Sequence, residues 1–488
     1  MMPPPFLPFT YRLDPEVPPS YYEKLFEFIY TQYLLPQNHR FIAVTKESSL
    51  NNEKLSYTIT NPQSTPLLEV EIKSGTPIEL TITPLNASVQ KAIVEEAKQD
   101  ILITLQVFSQ NVRNTTICFA WQAGEKIIPE DYTKPEKSFN RLFFETQVLF
   151  FMIFIAFGMF TFIAIALIAP QSFWIAPLIL ISIQFIFVFY SNRFIARKAE
   201  WHITQTNPLI HILEYYLPVS ALSDFKKSYT PKTLRSIKKQ IYEEIIAKQG
   251  RVDPESAQQI FLNHNMPCEI QNLKTKEINV YLLVKNISER FHFPMPKIII
   301  SNTLVPNAAA SGPSPKRSLV LLTTGILAQL NEAELLGVLG HEFGHLRGRD
   351  PLILYGLIST EFLFRFYVLL PLFPVIFSSL LFFLYFWAIM VFIFFIAKFF
   401  EARADLISAM VVGNPHILAE SLEKIGFQRL LCERIPSYRI QEWLGMDPHP
   451  PIYFRVNRLE CLQPETIRYP LIQSIKDVTR GFIATLRR

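Results

Sequence analysis

Leu330-Asn-Glu-Ala-Glu-Leu-Leu-Gly-Val-Leu-Gly-His-Glu-Phe-Gly-His345 carries more information than any other part of this 488-residue chain. Asn331 followed three residues later by Glu334 is a capping box, so a helix starts here. Leu335, Leu336, Val338 and Leu339 make that helix strongly apolar and predict that it is buried. His341 and His345 share one face, about one turn apart, which lets both imidazoles reach a single tetrahedral metal ion. Glu342 comes round on the same side, where it can take a proton from a metal-activated water rather than bind the metal. A surface helix with two merely solvated histidines is the plain alternative. The apolar surroundings argue against it, because two buried, unpaired imidazoles are costly and a bound metal removes that cost.

A hydrolytic zinc site needs a third protein ligand and an open position for water. Glu401-Ala-Arg-Ala-Asp405 supplies the best candidate. Glu401 and Asp405 stand at i and i+4, so on a helix they share a face. Glu401 would bind the metal, and Asp405 would accept a hydrogen bond from the free ring nitrogen of a ligand histidine and fix its tautomer. Taken alone, the segment reads rather as a solvated acidic face or an Asp405–Arg403 surface pair. Its occurrence together with the histidine helix favours the metal reading.

Five segments in this order resemble the gluzincin membrane metallopeptidases, the family that includes the HtpX heat-shock protease and the CAAX prenyl endopeptidase. They are Asn307-Ala-Ala-Ala-Ser-Gly312, Leu322-Thr-Thr-Gly-Ile-Leu327, the capped histidine helix, Glu401 to Asp405, and His449-Pro-Pro-Ile-Tyr-Phe-Arg455. The resemblance implies a zincin-type catalytic domain with one Zn2+ per chain, His341, His345 and Glu401 as ligands, and Glu342 as general base. It also puts His449 and Arg455 near the site, where an imidazole or a cation could stabilise the oxyanion of a tetrahedral intermediate. A Pro-bounded helix start at Pro450 and Pro451 with a solvated arginine is the alternative there. Ala309 stands where the family often has an aromatic residue. Residues 318–324 form an apolar, β-branched run after a Gly-Pro-Ser-Pro turn. By the resemblance this strand is a sheet edge that pairs main chain to main chain with an extended substrate. Val320 and Leu322 on it, with Asn307 and Ala308 beside it, are then the expected substrate-binding residues. An ordinary core strand is the alternative.

The chain is 49% hydrophobic, with 42 Phe and only 15 Gly, and its mean hydropathy is positive. Four stretches account for this: 147–169, 173–190, 352–372 and 375–397. Each has about twenty residues, enough to cross a bilayer core of roughly 30 Å. Pro170-Gln171 and Phe373-Pro374 would turn them into two hairpins. Buried core helices would be shorter and would keep polar faces. Glu361 and Arg365 lie in the third stretch, where an isolated charge costs about 3 kcal/mol. At i and i+4 they are expected to pair and to face the bundle, as a structural ion pair rather than a polar path. Basic residues flank the outer ends: Lys134, Lys137 and Arg141; Arg193, Arg197 and Lys198; Arg347 and Arg349; Lys398 and Arg403. Both hairpin turns are uncharged. This distribution predicts a multi-pass plasma- or inner-membrane protein whose amino terminus and metal site are cytoplasmic. The second hairpin then falls between the zinc ligands and holds the site close to the membrane surface.

The expected architecture is α+β with transmembrane helices. A small amino-terminal α+β domain covers 1–140, a hairpin 141–192, the first part of the metallopeptidase domain 193–350, a second hairpin 351–398, and the rest of that domain 399–488. In the amino-terminal part an amphipathic helix near 20–33 precedes alternating strands at 55–60, 67–72 and 78–83, a long helix at 89–112 and a strand at 115–121. It shows no catalytic constellation. The remaining histidines, His39, His202, His211, His264, His292 and His416, lack partners at ligand spacing and read as structural. Cys118, Cys268, Cys432 and Cys461 are scattered without a CxxC, which argues against a disulfide framework and a cysteine metal site and fits a reducing compartment. No cleavable signal pattern opens the chain. The net charge of +5 gathers at membrane flanks, which fits anionic headgroups better than nucleic acid. These readings converge on a membrane-embedded zinc endopeptidase acting on polypeptides, membrane proteins foremost, or on misfolded chains. A CAAX-type prenyl-protein peptidase would need more than four spans. A catalytically silent, metal-stabilised scaffold would have no use for Glu342, and a transporter would need more than one charged pair in the spans.

Overall fold

A computed structural model describes residues 7–487 apart from 50–51, 62, 87–88, 90, 126, 128–162, 164–166, 168–173, 218–227, 267 and 378–379. The first expected membrane stretch, 147–169, and Lys134, Lys137 and Arg141 before it therefore lie outside the described residues, save for positions 163 and 167. The chain divides into two compact units, Met1–Phe119 with Ile212–Lys276 and Ala120–His211 with Glu277–Arg488. The boundaries fall in or beside the strands Thr116–Trp121, Leu209–Tyr216 and Leu273–Asn279. Residues 212–276, expected at the head of the catalytic domain, thus group with the amino-terminal unit.

In the first unit, apolar residues at every second position build a five-stranded antiparallel sheet. Its strands are β1 (Phe9–Leu13), β2 (Phe41–Ser49), β3 (Asn52–Thr60), β4 (Pro66–Lys73) and β5 (Ile78–Pro84), in the order β1-β5-β4-β3-β2. Alternation puts Leu55 and Tyr57, Leu68, Val70 and Ile72, and Ile78, Leu80 and Ile82 in the core. Helix α1 (Lys91–Thr115) adds Val94, Ala97, Ile101, Leu105, Phe108 and Val112 at helical spacing to the same core. Asp100 on this helix is buried; the Tyr33 hydroxyl donates to it at 3.0 Å and Arg40 pairs with it at 3.3 Å. Those partners offset the cost of an internal carboxylate.

The second unit holds a four-stranded sheet of β6 (Trp201–Ile203), β7 (Lys297–Ser301), β8 (Ala308–Ser311) and β9 (Leu319–Thr323), in the order β8-β9-β7-β6. Strand β9 runs parallel to β7 and antiparallel to β8. All five of its residues are buried. The strand expected to be the edge is therefore an inner one, and Val320 and Leu322 are core side chains. An unbroken apolar run suits a strand covered on both faces and paired on both sides. The edge beside the histidine helix is β8.

Beyond the sheet lie α2 (Ala176–Lys198), α3 (Glu332–Gly348), α4 (Asp350–Phe364) and α5 (Leu380–Val412). The capping box that starts α3 is present in both directions. The Asn331 amide donates to Glu334 Oε2 at 2.8 Å, and the Glu334 amide donates to Asn331 Oδ1 at 2.9 Å. Among the described residues, two helical segments are long and apolar enough to cross a membrane, Asp350–Leu372 and Leu380–Val412. Only 6% and 22% of their most apolar windows are buried, so neither is a core helix. Of the other expected stretches, 173–190 appears as a shorter apolar helix, Ala176–Tyr190. It touches the third: the Tyr355 hydroxyl donates to the Ile181 carbonyl, and the Trp174 and Phe366 rings meet edge to face at 5.9 Å. Glu361 and Arg365 pair at 3.1 Å, and Tyr385 of α5 donates to the same carboxylate at 3.0 Å. The charged pair thereby links two apolar helices, as an internal pair should.

Helix α3 is jammed against the lower half of α5. A Cβ on Gly340 would lie 2.6 Å from Ser408 Oγ, and one on Gly344 would lie 3.0 Å from Ala404 Cα. The Ser408 hydroxyl donates to the Gly337 carbonyl at 2.8 Å. Small residues on both sides thus allow the backbones to approach closely. Gly340→Val is expected to force the helices apart, with a loss of about 1–3 kcal/mol typical of overpacking. Thermal unfolding together with the metal content of the purified variant checks this: both should fall, and a variant with normal stability and full metal would contradict it.

Candidate metal centre

The contact between α3 and α5 sets His341 and His345 against Glu401. One ligand atom from each lies within 4.8 Å of the others. The two Nε2 atoms are 3.1 Å apart, His341 Nε2 is 3.4 Å from Glu401 Oε2, and His345 Nε2 is 3.3 Å from Glu401 Oε1. Ligand atoms on a tetrahedral zinc with bonds near 2.05 Å are about 3.3 Å from one another. The three donors therefore stand at the separations that ion requires. Glu401 Oε2 is buried without a hydrogen-bond partner, an orphan that a cation would satisfy. Two imidazole nitrogens and a carboxylate also match a hydrolytic zinc donor set.

The other ring nitrogens are both taken. His341 Nδ1 lies 2.9 Å from Asp405 Oδ1, and His345 Nδ1 lies 2.8 Å from Asp350 Oδ2. Each carboxylate fixes the tautomer that leaves Nε2 free to bind a metal. Asp405 is where the sequence put it, but its partner is Arg455 and not Arg403. The Arg455 guanidinium grips Asp405 with Nε at 2.9 Å and Nη2 at 2.7 Å. Arg403 instead donates to Asp350. A fully buried carboxylate needs such a counter-charge, and each aspartate has its own.

Arg455 lies near the site as expected, but not as a solvated side chain: it is buried and held on Asp405, the carboxylate that also meets His341 Nδ1. Burial opposes its charge, but the Asp405 carboxylate beside it holds the guanidinium pKa above its usual value. His449 differs. Its ring is partly exposed, with Nε2 3.6 Å from Glu401 Oε2 and Nδ1 2.8 Å from Asp447 Oδ1. Lys398, one turn before Glu401, donates to the Asp447 carbonyl and so ties the His449 loop to α5.

Glu342 points from α3 toward the sheet edge. The Ala310 amide of β8 donates to its Oε2 at 2.8 Å. That amide points away from β9, because it serves Glu342. The Asn307 main chain faces the other way, accepting from the Thr323 amide at 3.1 Å and donating to Thr323 Oγ1 at 2.9 Å. Asn307 is thus an anchor for the edge, and the outward main chain beside Glu342 belongs to β8 itself, which begins at Ala308.

Asp350 escaped the sequence reading. It stands five residues after His345, beyond the helix end at Arg349, whose φ of 54° and ψ of 38° turn the chain back. An Asp-Pro pair just past a histidine motif was the available signal; it read instead as the approach to a membrane stretch. Asp447 was also missed, although it lies two residues before His449.

Burial opposes charge on both imidazoles. For His345 the Glu401 and Asp350 carboxylates outweigh it and hold the pKa well above the ordinary value. For His341, Asp405 and Glu401 do the same to a lesser degree. Protons bound in the free site must leave when a metal enters, so affinity should fall as pH falls. Zinc titration at several buffered pH values checks this; an affinity independent of pH would exclude the imidazoles as ligands. Asp350→Asn should weaken metal binding by about 10–100-fold, the usual effect of removing such a partner.

Residues 274–463 match Peptidase family M48. A protease HtpX homolog from Gemmatimonas aurantiaca is 31% identical over 223 residues, which cover 38% of this chain and 75% of that protein. Protease HtpX homolog 2 of Methanosarcina acetivorans is 32% identical over 208 residues, covering 35% of this chain and 68% of that protein. A shorter match, to a protease HtpX homolog from Thermodesulfovibrio yellowstonii, is 41% identical over 85 residues but spans 29% of that protein. The chain belongs to peptidase family M48, in its HtpX-like part, and the matched region contains every residue of the candidate centre.

Proposed function

We propose that this protein is an integral-membrane zinc endopeptidase that hydrolyses peptide bonds of membrane or misfolded proteins at the cytoplasmic face. The observation that carries the reading is the convergence of three metal-ligand atoms and a carboxylate at a sheet edge. His341, His345 and Glu401 would hold the ion, with Asp405 and Asp350 orienting the two rings. When bound, zinc supplies Lewis acidity that polarises the scissile carbonyl and makes water a usable nucleophile near neutral pH.

The chain's own residues account for the remaining steps. An extended polypeptide laid along β8 would pair with its outward main chain. The hydrogen bond from the Ala310 amide to Glu342 supports a path for such a strand beside that carboxylate. Glu342 Oε2 takes a proton from the attacking water and returns it to the leaving nitrogen. His449, partly exposed and facing Glu401, is positioned to donate to the developing oxyanion. Arg455 serves as a positioning residue through Asp405. The basic flanks of the apolar helices support a cytoplasmic site. Helix α5 runs without a break from its apolar half into Glu401, which supports a site close to the bilayer.

Glu342→Gln should retain its zinc and lose about 10²–10⁴-fold in proteolysis, the range of a general base. Metal analysis of the purified variant, with mass spectrometry of peptides released from a test substrate, checks this. Cleavage at the normal rate would remove Glu342 from the mechanism.

A further inference from the structure

Helix α6 (Pro436–Leu444), helix α7 (Ile452–Glu460) and helix α8 (Pro470–Leu486) follow α5 in the second unit. Helix α8 has two different apolar faces. Ser474 and Val478 are fully buried, and Phe482 sits in an aromatic cluster with Phe395 at 5.4 Å and Trp443 at 5.9 Å. Trp443 also donates from Nε1 to Thr485 Oγ1 at 3.1 Å. This face docks the helix on α5 and α6. The other face is left in the open: Leu471 is 40% exposed, Ile472 53%, Ile475 40%, Ile483 42% and Leu486 53%.

At about 100° per residue, these five side chains fall within an arc of about 120°, which adjoins the docked face at Phe482 and also holds the exposed Thr479. Lys476, Arg487 and Arg480, all exposed, occupy the next arc of about 60°. Apolar side chains bordered by cations on one side are the pattern of a helix lying in a membrane surface, with lysine and arginine stems reaching up to the headgroups. A helix facing only water would waste five large apolar side chains, and scattered exposure would not align them.

The docking partner of α8 supplies the second observation. Phe395 lies in the apolar half of α5, six residues before Glu401, which is about 9 Å along the helix. In the same half Trp387 is 54% exposed and Phe392 57% exposed. The open face of α8 is thus attached at the end of a surface that already has the character of a lipid contact.

We propose that α8 is an interfacial anchor: Leu471, Ile472, Ile475, Ile483 and Leu486 enter the acyl boundary of an anionic bilayer, and Lys476, Arg480 and Arg487 contact its headgroups. The proposal rests on the reading that the apolar half of α5 crosses the membrane. Its consequence is to fix the depth of the metal centre. Helix α8 holds α5 at Phe395 while Glu401 follows about 1.7 turns later, so the site sits at the surface at a set height.

Depth-resolved spin labelling of the whole protein in liposomes with anionic lipid tests this. Nitroxides are placed one at a time in Ile475→Cys, Ile483→Cys, Arg480→Cys and Leu384→Cys, with the exposed Cys432 and Cys461 changed to serine. Labels at 475 and 483 should relax several-fold more with oxygen than with a water-soluble nickel chelate, as the label at 384 does, while 480 shows the reverse. Labels at 475 and 483 that respond to the chelate like 480 would overturn the anchor and leave the spans intact. Labels shielded from both reagents would also overturn it, in favour of a protein contact such as a second copy. A label at 384 that is open to the chelate would instead overturn the membrane reading itself.

Discussion

The structure of the catalytic unit depends on one close contact, that between helix α3 and the lower half of α5. Gly340 and Gly344 on one side face Ser408 and Ala404 on the other, so the two backbones approach more closely than larger side chains would permit. That separation sets the distance from Glu401 to His341 and His345. Away from the histidines the contact is made of dense packing and the hydroxyl-to-carbonyl bond from Ser408 to Gly337; at them, His341 Nδ1 meets Asp405 at 2.9 Å. Packed cores resist continuous deformation, so the scaffold itself holds the three candidate donor atoms at their spacing.

Around that contact the charges are arranged in two parallel chains. In one, Arg455 holds Asp405 and Asp405 holds His341; in the other, Arg403 holds Asp350 and Asp350 holds His345. Each link compensates the burial of the next. Two cations against two aspartates, Glu401 and Glu342 leave the site two positive charges short once the rings are neutral, a deficit that a divalent cation would balance. Helix α5 joins this chemistry to the apolar region. Its 33 residues begin among exposed leucines and phenylalanines and lead into the buried polar side chains of Lys398, Glu401, Asp405 and Ser408. One rigid rod therefore carries both the expected bilayer crossing and the third candidate ligand, Glu401.

Much of the site was legible because its spacing is dictated by helical geometry. Asn331 and Glu334, His341 and His345, and Glu401 and Asp405 are all pairs whose separation of three or four residues can be read directly. The partner of His345 was not legible, since Asp350 reaches back across a helix end and belongs to no period. The partner of Arg455 was not legible for a related reason: a sequence shows a cation near a motif but not which buried carboxylate it must neutralise. The apolar run of β9 was compatible with an edge or an inner strand, and only the pairing on both sides distinguishes them. In the same way, the grouping of residues 212–276 with the amino-terminal sheet is a long-range association with no local signal.

X-ray absorption at the zinc edge of the purified protein tests whether two helices grip one zinc ion through His341, His345 and Glu401. A four-coordinate shell of nitrogen and oxygen at about 2.0–2.1 Å is expected, with two imidazole signatures that drop to one in His345→Ala. A sulfur-containing shell, or one unchanged by that substitution, would contradict it.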